Sequence, residues 1–302
     1  MATEMLADDR ATALAQEGYT LASATSRDGT PIGYRQLGHG PGVVLLHGAM
    51  ESAASHLQLA EALADAFTVY LPDRRGRGTS GASGAGNGAQ QNSEDLDAIL
   101  TQTGTRDVFG VSSGAIICLQ AALALPTIRR VAIYEPPFFV SDLATPTALL
   151  ARYDKEIAAG NVTAALVTGM LGAQMGPPIF NVMPRWLLEA LTNMAMNAEE
   201  KRAKPSDVTM RMLAPTLHDD FALVVAGSTA LDSLRAIPVE VLLLGGSKSP
   251  AYLKSALDAL EHMLPRASRV EFPGLGHGGS GNANRGGQPA QVAQELRRFF
   301  AD

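Results

Sequence analysis

Short apolar runs alternate with stretches of helical period along most of this chain, and that alternation restricts its fold more than any other feature. Gly42–Leu46 (GVVLL), Phe67–Leu71 (FTVYL), Asp107–Phe109, Arg130–Tyr134 (RVAIY), Val239–Leu244 (VEVLLL) and Arg269–Phe272 (RVEF) read as strands. Between several of them, Ala54–Ala66 and Ser93–Leu100 carry helical spacing, and Gly114–Leu125 is apolar all round, as a buried helix is. Strands alternating with helices predict β-α-β units, hence an α/β fold with a mostly parallel central sheet flanked by helices. Ahead of them, Tyr19–Thr25 and Pro31–Leu37, separated by Arg27-Asp28-Gly29, read as a hairpin.

The alternation stops between Phe138 and Ala222, where the periodicity is helical. Thr145–Ala159, Val162–Met175 and Arg185–Lys201 are the expected helices, and Met170, Met175, Met183, Met194, Met196, Met210 and Met212 crowd into this stretch. The expected organisation is therefore a core of residues 1–137 and 223–302, with residues 138–222 a helical insertion after the strand that ends at Glu135, laid over one edge of the sheet. Ser80–Asn92 (SGASGAGNGAQQN) reads as a mobile surface loop, and a second glycine-rich stretch, Gly274–Gly287, surrounds His277.

Composition narrows the function classes. Apolar residues make up 46% of the 302, enough for a sizeable core. A net charge of −6 without a Lys or Arg run leaves no footprint for nucleic acid or an anionic membrane. The single cysteine, Cys118, forms no intrachain disulfide and fits a reducing compartment. Met1–Glu17 carries Glu4, Asp8, Asp9 and Arg10 and lacks the apolar stretch of a signal peptide. No run approaches the about 18 apolar residues of a membrane span. The expectation is a cytoplasmic protein acting on a small molecule, of open oligomeric state. With no H-E-x-x-H pattern and no paired cysteines, no metal or other cofactor is implied.

Gly110-Val111-Ser112-Ser113-Gly114 is the chain's only G-x-S-x-G match, and its setting gives it weight. A strand precedes it and an apolar helix follows. In such a strand–turn–helix elbow the turn is too tight for side chains on either flank, and the serine projects over a helix N-terminus that favours negative charge. An incidental serine in a glycine-rich β-α turn is the plainer reading.

With this elbow the chain resembles the α/β-hydrolase superfamily over about Tyr19–Ala301. The resemblance rests on His47-Gly48, Asp73-Arg74-Arg75-Gly76, the serine elbow, and a late histidine after the last strand, in that order. The helical insertion matches the cap many members carry. The resemblance implies a catalytic base at His277, since a serine hydroxyl needs a positioned base to become a nucleophile. The other histidines fit less well: His39 in a turn, His56 and His262 on helices and read as surface residues, His218 at the end of the insertion. His47 reads as structural. By the same resemblance the N–H groups of Ala49 and Ser113 would form an oxyanion hole, with Met50 the alternative to Ala49.

The family pattern fails at the acid. Members usually place it as Asp in G-x-x-D-P, whereas this chain reads Gly246-Ser247-Lys248-Ser249-Pro250. Glu135, at the end of the strand after the nucleophile helix, is the substitute; certain haloalkane dehalogenases draw their acid from that strand. Asp220 and Asp232 compete, a Ser–His dyad stays open, and Glu135 pairing with an arginine at the insertion hinge is the plainer reading. Arg74, Arg75 and Arg77 are expected at the surface. Met50, Met170 and Trp186 are the candidate substrate contacts, though packing of the insertion also accounts for methionines there, beside Tyr153 and Phe180.

The leading function is hydrolysis of a carboxylic ester or lactone through an acyl-enzyme on Ser112. The same triad serves C–C bond hydrolases and other secondary-metabolite enzymes, and some relatives are non-catalytic receptors or scaffolds. Dehalogenase and epoxide hydrolase readings are disfavoured, because those relatives carry Asp at the elbow.

Overall fold

Among the described residues, eight strands lie in one sheet in the order β1-β2-β4-β3-β5-β6-β7-β8. They are β1 (Thr20–Thr25), β2 (Pro31–Gly38), β3 (Gly42–Leu46), β4 (Thr68–Pro72), β5 (Asp107–Val111), β6 (Arg130–Tyr134), β7 (Glu240–Gly246) and β8 (Ala267–Phe272). The computed structural model describes residues 18–84 and 87–301; the expectation drawn from Met1–Glu17 lies outside them. β1 and β2 form the expected antiparallel hairpin, closed at Gly29 with φ +86, and β2 pairs antiparallel with β4. Every other pairing is parallel. β5 is buried at all five residues, which is why the central strands read as continuous apolar runs.

Ten helices complete the described chain: α1 (Leu57–Glu61), α2 (Ala89–Thr103), α3 (Ser113–Ala124), α4 (Ala144–Ala158), α5 (Val162–Gly172), α6 (Arg185–Arg202), α7 (Met210–Leu213), α8 (Leu217–Thr229), α9 (Ala251–Met263) and α10 (Pro289–Ala301). Alternate strand residues meet opposite helix layers, as the pleat requires. Val44, Val108, Val131 and Leu243 pack with Leu96 of α2, Ile116 of α3, Leu223 of α8 and Leu260 of α9. Val43, Phe109, Ala132 and Leu242 pack with Leu59 of α1 and Leu296 of α10 on the other face. Among the described residues no helix is long and apolar enough to cross a membrane.

Three expectations need correction. Ala54–Ala66 is not one helix: a 3-10 turn at Ala53–His56 leads into α1, and the rest closes in tight turns, with the His39 N–H taking the Ala64 carbonyl. Ser80–Asn92 is not wholly a surface loop. α2 begins at Ala89, and Ser83 and Asn87 both hydrogen-bond Asp219 of α8. Between β6 and β7 the chain folds as α4 to α8, but the boundary drawn at residue 222 falls inside α8. That helix is continuous because Asp220 in its first turn and Leu223 and Val224 in its second are all buried.

Candidate active site

The parallel register brings three strand ends side by side. Val111 pairs with Tyr134, and Tyr134 with Leu244, so Ser112 and Glu135 each follow the last residue of adjacent strands. Neighbouring strands lie about 4.8 Å apart. The Ser112 N–H is also bonded to the Tyr134 carbonyl at 2.9 Å, tying the serine to the strand that carries Glu135.

Ser112 is half-buried with φ +54 and ψ −124, and α3 starts immediately after it. The residues two positions to either side of it must be glycines. A Cβ on Gly110 would lie 2.5 Å from the Gly114 carbonyl oxygen, and one on Gly114 would lie 2.5 Å from the Leu46 and His47 oxygens. Gly48 is constrained by the serine itself, since its Cβ would sit 2.9 Å from Ser112 Cβ. A non-glycine residue at φ +54 is strained, and the packing of these backbones holds it.

Glu135 is also strained, at φ +47, and fully buried. Three donors satisfy its carboxylate. Oε2 lies 2.8 Å from His277 Nδ1; Oε1 accepts from the Gly246 N–H at 2.6 Å and the Ser249 hydroxyl at 2.5 Å. A buried carboxylate is tolerable only when bonded in this way. With Nδ1 donating to Glu135, the half-buried His277 keeps Nε2 free to take a proton. Tyr134, stacked on Phe272, holds the histidine loop by donating to the Gly276 carbonyl at 2.8 Å.

Neither competing acid meets His277 in this way. Asp232 is exposed and pairs with Arg235. Asp220 is buried and bonded to Arg74, Arg77 and the Ser113 hydroxyl. The arginines correct a further expectation. Arg74, Arg75 and Arg77 are all buried because each faces a carboxylate: Asp220 for the first and last, Asp95 and Asp28 for Arg75.

His47 is buried, its Nδ1 2.9 Å from the Gly48 carbonyl and its Nε2 accepting from the Arg74 N–H at 3.1 Å. Burial, aided by the Arg77 and Arg74 charges, pushes its pKa down to about 3, so it is neutral. His56 is not a surface residue. It is buried, with Nε2 3.1 Å from Glu51 and Nδ1 3.1 Å from the Ser280 carbonyl. Glu51 accepts the Gly48 N–H at 2.9 Å. Burial alone would raise its carboxyl, but His56 and Arg285 outweigh that and hold it below the usual carboxylate range. Met50 is held at φ +53, with its carbonyl 3.4 Å from Arg285. Among the described residues, the N–H groups of Ala49, Met50 and Ser113 all lack an acceptor.

The three candidate substrate contacts fare differently. Met50 packs against two groups from the insertion, one around Tyr153 and Leu217, the other around Leu166 and Met196. Met170 is half-buried on α5. Trp186 is 70% exposed on α6, a placement that gives it no enclosed surface to offer a substrate. Met196 is fully buried, whereas Met194 and Met212 are exposed, so the methionines do not share one role. A cavity of about 590 Å³ lies between Ser52–Ser55, Arg285 and the Glu199–Thr209 stretch of the insertion, beside the Met50 loop. A larger groove, about 1010 Å³, is lined by Gln120, Ala124 and Leu125, at the end of α3 away from Ser112.

The profile of the Alpha/beta hydrolase family matches residues 43–295. An alpha/beta hydrolase from Sphaerobacter thermophilus superposes with a TM-score of 0.74 at 31% identity, covering 92% of this chain and all of that one. A thermophilic esterase from Thermogutta terrifontis superposes at 0.69 with 17% identity, over 93% of this chain and 98% of its own. An uncharacterized hydrolase from Bacillus subtilis (strain 168), YraK, is 32% identical over 116 residues, 37% of this chain and 43% of that protein. The match thus spans less than half of that curated relative.

Proposed function

This chain belongs to the alpha/beta hydrolase family, and from that membership and the geometry of its strand ends we propose that it is a serine hydrolase cleaving a carboxylic ester or lactone of a small, partly apolar substrate. The observation that carries the reading is the 2.8 Å contact between His277 Nδ1 and a buried Glu135, one strand away from a serine on a strained elbow.

Ser112 Oγ adds to the substrate carbonyl while His277 Nε2 takes the hydroxyl proton. Glu135 holds the imidazole by Nδ1–H and balances the positive charge it acquires. The carbonyl oxygen becomes an oxyanion and accepts from the Ala49 and Ser113 N–H groups, each worth about 3 kcal/mol of transition-state stabilisation. The tetrahedral adduct collapses, the C–O bond breaks, and His277 gives its proton to the departing alkoxide. Water then repeats the sequence on the acyl-enzyme, with His277 again as base, releasing the acid and restoring Ser112. Met50 and the half-buried Met170 supply apolar contact for the acyl part, and the insertion acts as a cap over the site. The esterase among the structural neighbours supports the ester reading.

Treatment with a small fluorophosphonate followed by intact-mass measurement tests this. One adduct on the wild type, absent from Ser112→Ala, together with turnover of short p-nitrophenyl esters, is the expected result. A wild-type protein that forms no adduct and turns over no ester sinks the acyl-enzyme reading.

A further inference from the structure

Ser113 is almost wholly buried, and its hydroxyl joins two distant parts of the chain. It donates to Asp220 Oδ1 at 2.8 Å and accepts from Arg74 Nη1 at 3.0 Å. Asp220, in the first turn of α8, also receives Arg74 Nη1 on Oδ1 at 2.7 Å and Arg77 Nη2 on Oδ2 at 2.5 Å. Arg77 then donates through Nη1 to the Gly48 carbonyl at 2.9 Å and through Nε to Thr216 Oγ1 at 3.0 Å.

The Gly48 carbonyl and the Ala49 N–H belong to the same peptide unit. That unit is planar and trans, so its C=O and N–H point in opposite directions. Holding the oxygen therefore aims the N–H. A guanidinium at the oxygen end also polarises the amide and strengthens its N–H as a donor. The other donor, the Ser113 N–H, belongs to the residue whose side chain Asp220 and Arg74 hold. Both guanidinium groups meet the same buried carboxylate.

We propose that Asp220 is the positioning residue of the oxyanion hole: one carboxylate from the insertion-side helix α8 fixes the Gly48–Ala49 peptide through Arg77 and fixes Ser113 directly and through Arg74. The inference rests on the acyl-enzyme reading above. It makes seating of α8 against the core a condition for a formed oxyanion hole, since Asp220 reaches Ser113 only from that position.

The test compares wild type, Asp220→Asn and Ser113→Ala. Each is assayed for kcat and KM on a p-nitrophenyl ester, for inhibition by an alkyl trifluoromethyl ketone, and for thermal unfolding. The ketone's adduct with Ser112 places an oxyanion between the two N–H groups. Asp220→Asn is expected to lower kcat by roughly 100-fold with KM changed by less than about 3-fold, and to weaken the ketone by a similar factor to kcat. Ser113→Ala keeps every charge and both N–H groups and is expected to lose roughly tenfold in both. If Asp220→Asn does not fold, Ser113→Ala decides alone. Wild-type kcat and wild-type ketone affinity in either folded variant overturn the proposal. So does a loss of kcat that only tracks the folded fraction while ketone affinity is unchanged. A wild-type protein inert to ketone, fluorophosphonate and ester fails before any variant is made, and that result removes the acyl-enzyme reading as well.

Discussion

The Ser249 hydroxyl donates a 2.5 Å hydrogen bond to Glu135 Oε1, from just beyond the end of β7 to the end of β6. A hydroxyl thus stands where relatives place their acid, and the carboxylate from the next strand reaches His277 with its other oxygen at 2.8 Å. Replacing Glu135 by Gln keeps the volume but removes the charge that balances an imidazolium. The expected result is a fall in kcat of roughly 10³- to 10⁴-fold with KM little changed, read from steady-state ester hydrolysis. A fall under tenfold would place the acid elsewhere.

Ser249 itself gives a separate prediction. A hydrogen bond to a charged group contributes about 1.5–3 kcal/mol, so Ser249→Ala is expected to lose stability of that order in urea unfolding. The double exchange Glu135→Ser with Ser249→Asp returns the carboxylate to the position usual in the family. It is expected to recover at least about tenfold in kcat over Glu135→Gln, consistent with the triad being defined by geometry rather than chain position. No recovery, in a folded double variant, would mean that an acid beyond β7 does not reach His277 in this backbone.

The sheet was legible in the sequence because its central strands are buried on both faces and so read as unbroken apolar runs, as GVVLL of β3 and VLLLGG of β7 do. Ser112 and His277 were legible because their local settings are themselves constrained, the first by glycines that admit no Cβ, the second by its place past the last strand. Arg74 and Arg77 were misplaced because their partner Asp220 lies some 145 positions on, and no local pattern announces a pairing of that separation. His56 was misread for the same reason, its contact with Ser280 spanning 224 positions. Its other partner was nearer to hand: Glu51, three residues past Gly48, is an acid in the loop after β3.

Tyr134 holds the loop that carries His277. Its hydroxyl holds the carbonyl of Gly276, the residue before His277, at 2.8 Å. Tyr134→Phe removes that donor and leaves the ring packed on Phe272. The expected cost is about 1 kcal/mol of stability. A histidine loop freed to shift by a fraction of an ångström is expected to lower kcat by roughly tenfold or more, with fluorophosphonate labelling of Ser112 slowed in parallel. Labelling at the wild-type rate would show that the loop is held without this bond.

His47 sets a pH dependence whose sign follows from its burial. Folded, burial and then the Arg77 and Arg74 charges push its pKa down to about 3, against 6.5 for an ordinary histidine. Below pH 6.5 the unfolded chain therefore takes up a proton that the folded chain refuses. This group favours the unfolded state increasingly as pH falls through 6.5 towards 3, and its contribution to the slope fades out above about pH 7.5. Between pH 7 and pH 5 the loss amounts to about 2 kcal/mol. Glu51 and Asp220, both held below the usual carboxylate range, act with the same sign but below about pH 4, outside this interval. His47→Gln retains a side-chain acceptor for the Arg74 N–H and a donor for the Gly48 carbonyl but carries no titrating group. Urea unfolding of both proteins at pH 7 and pH 5 should show the wild type losing about 2 kcal/mol more than the variant. Every other group is common to both proteins and cancels in that difference. Equal losses would mean that His47 accepts a proton in the folded state, and the hydrogen bond from the Arg74 N–H to Nε2 would then have to break.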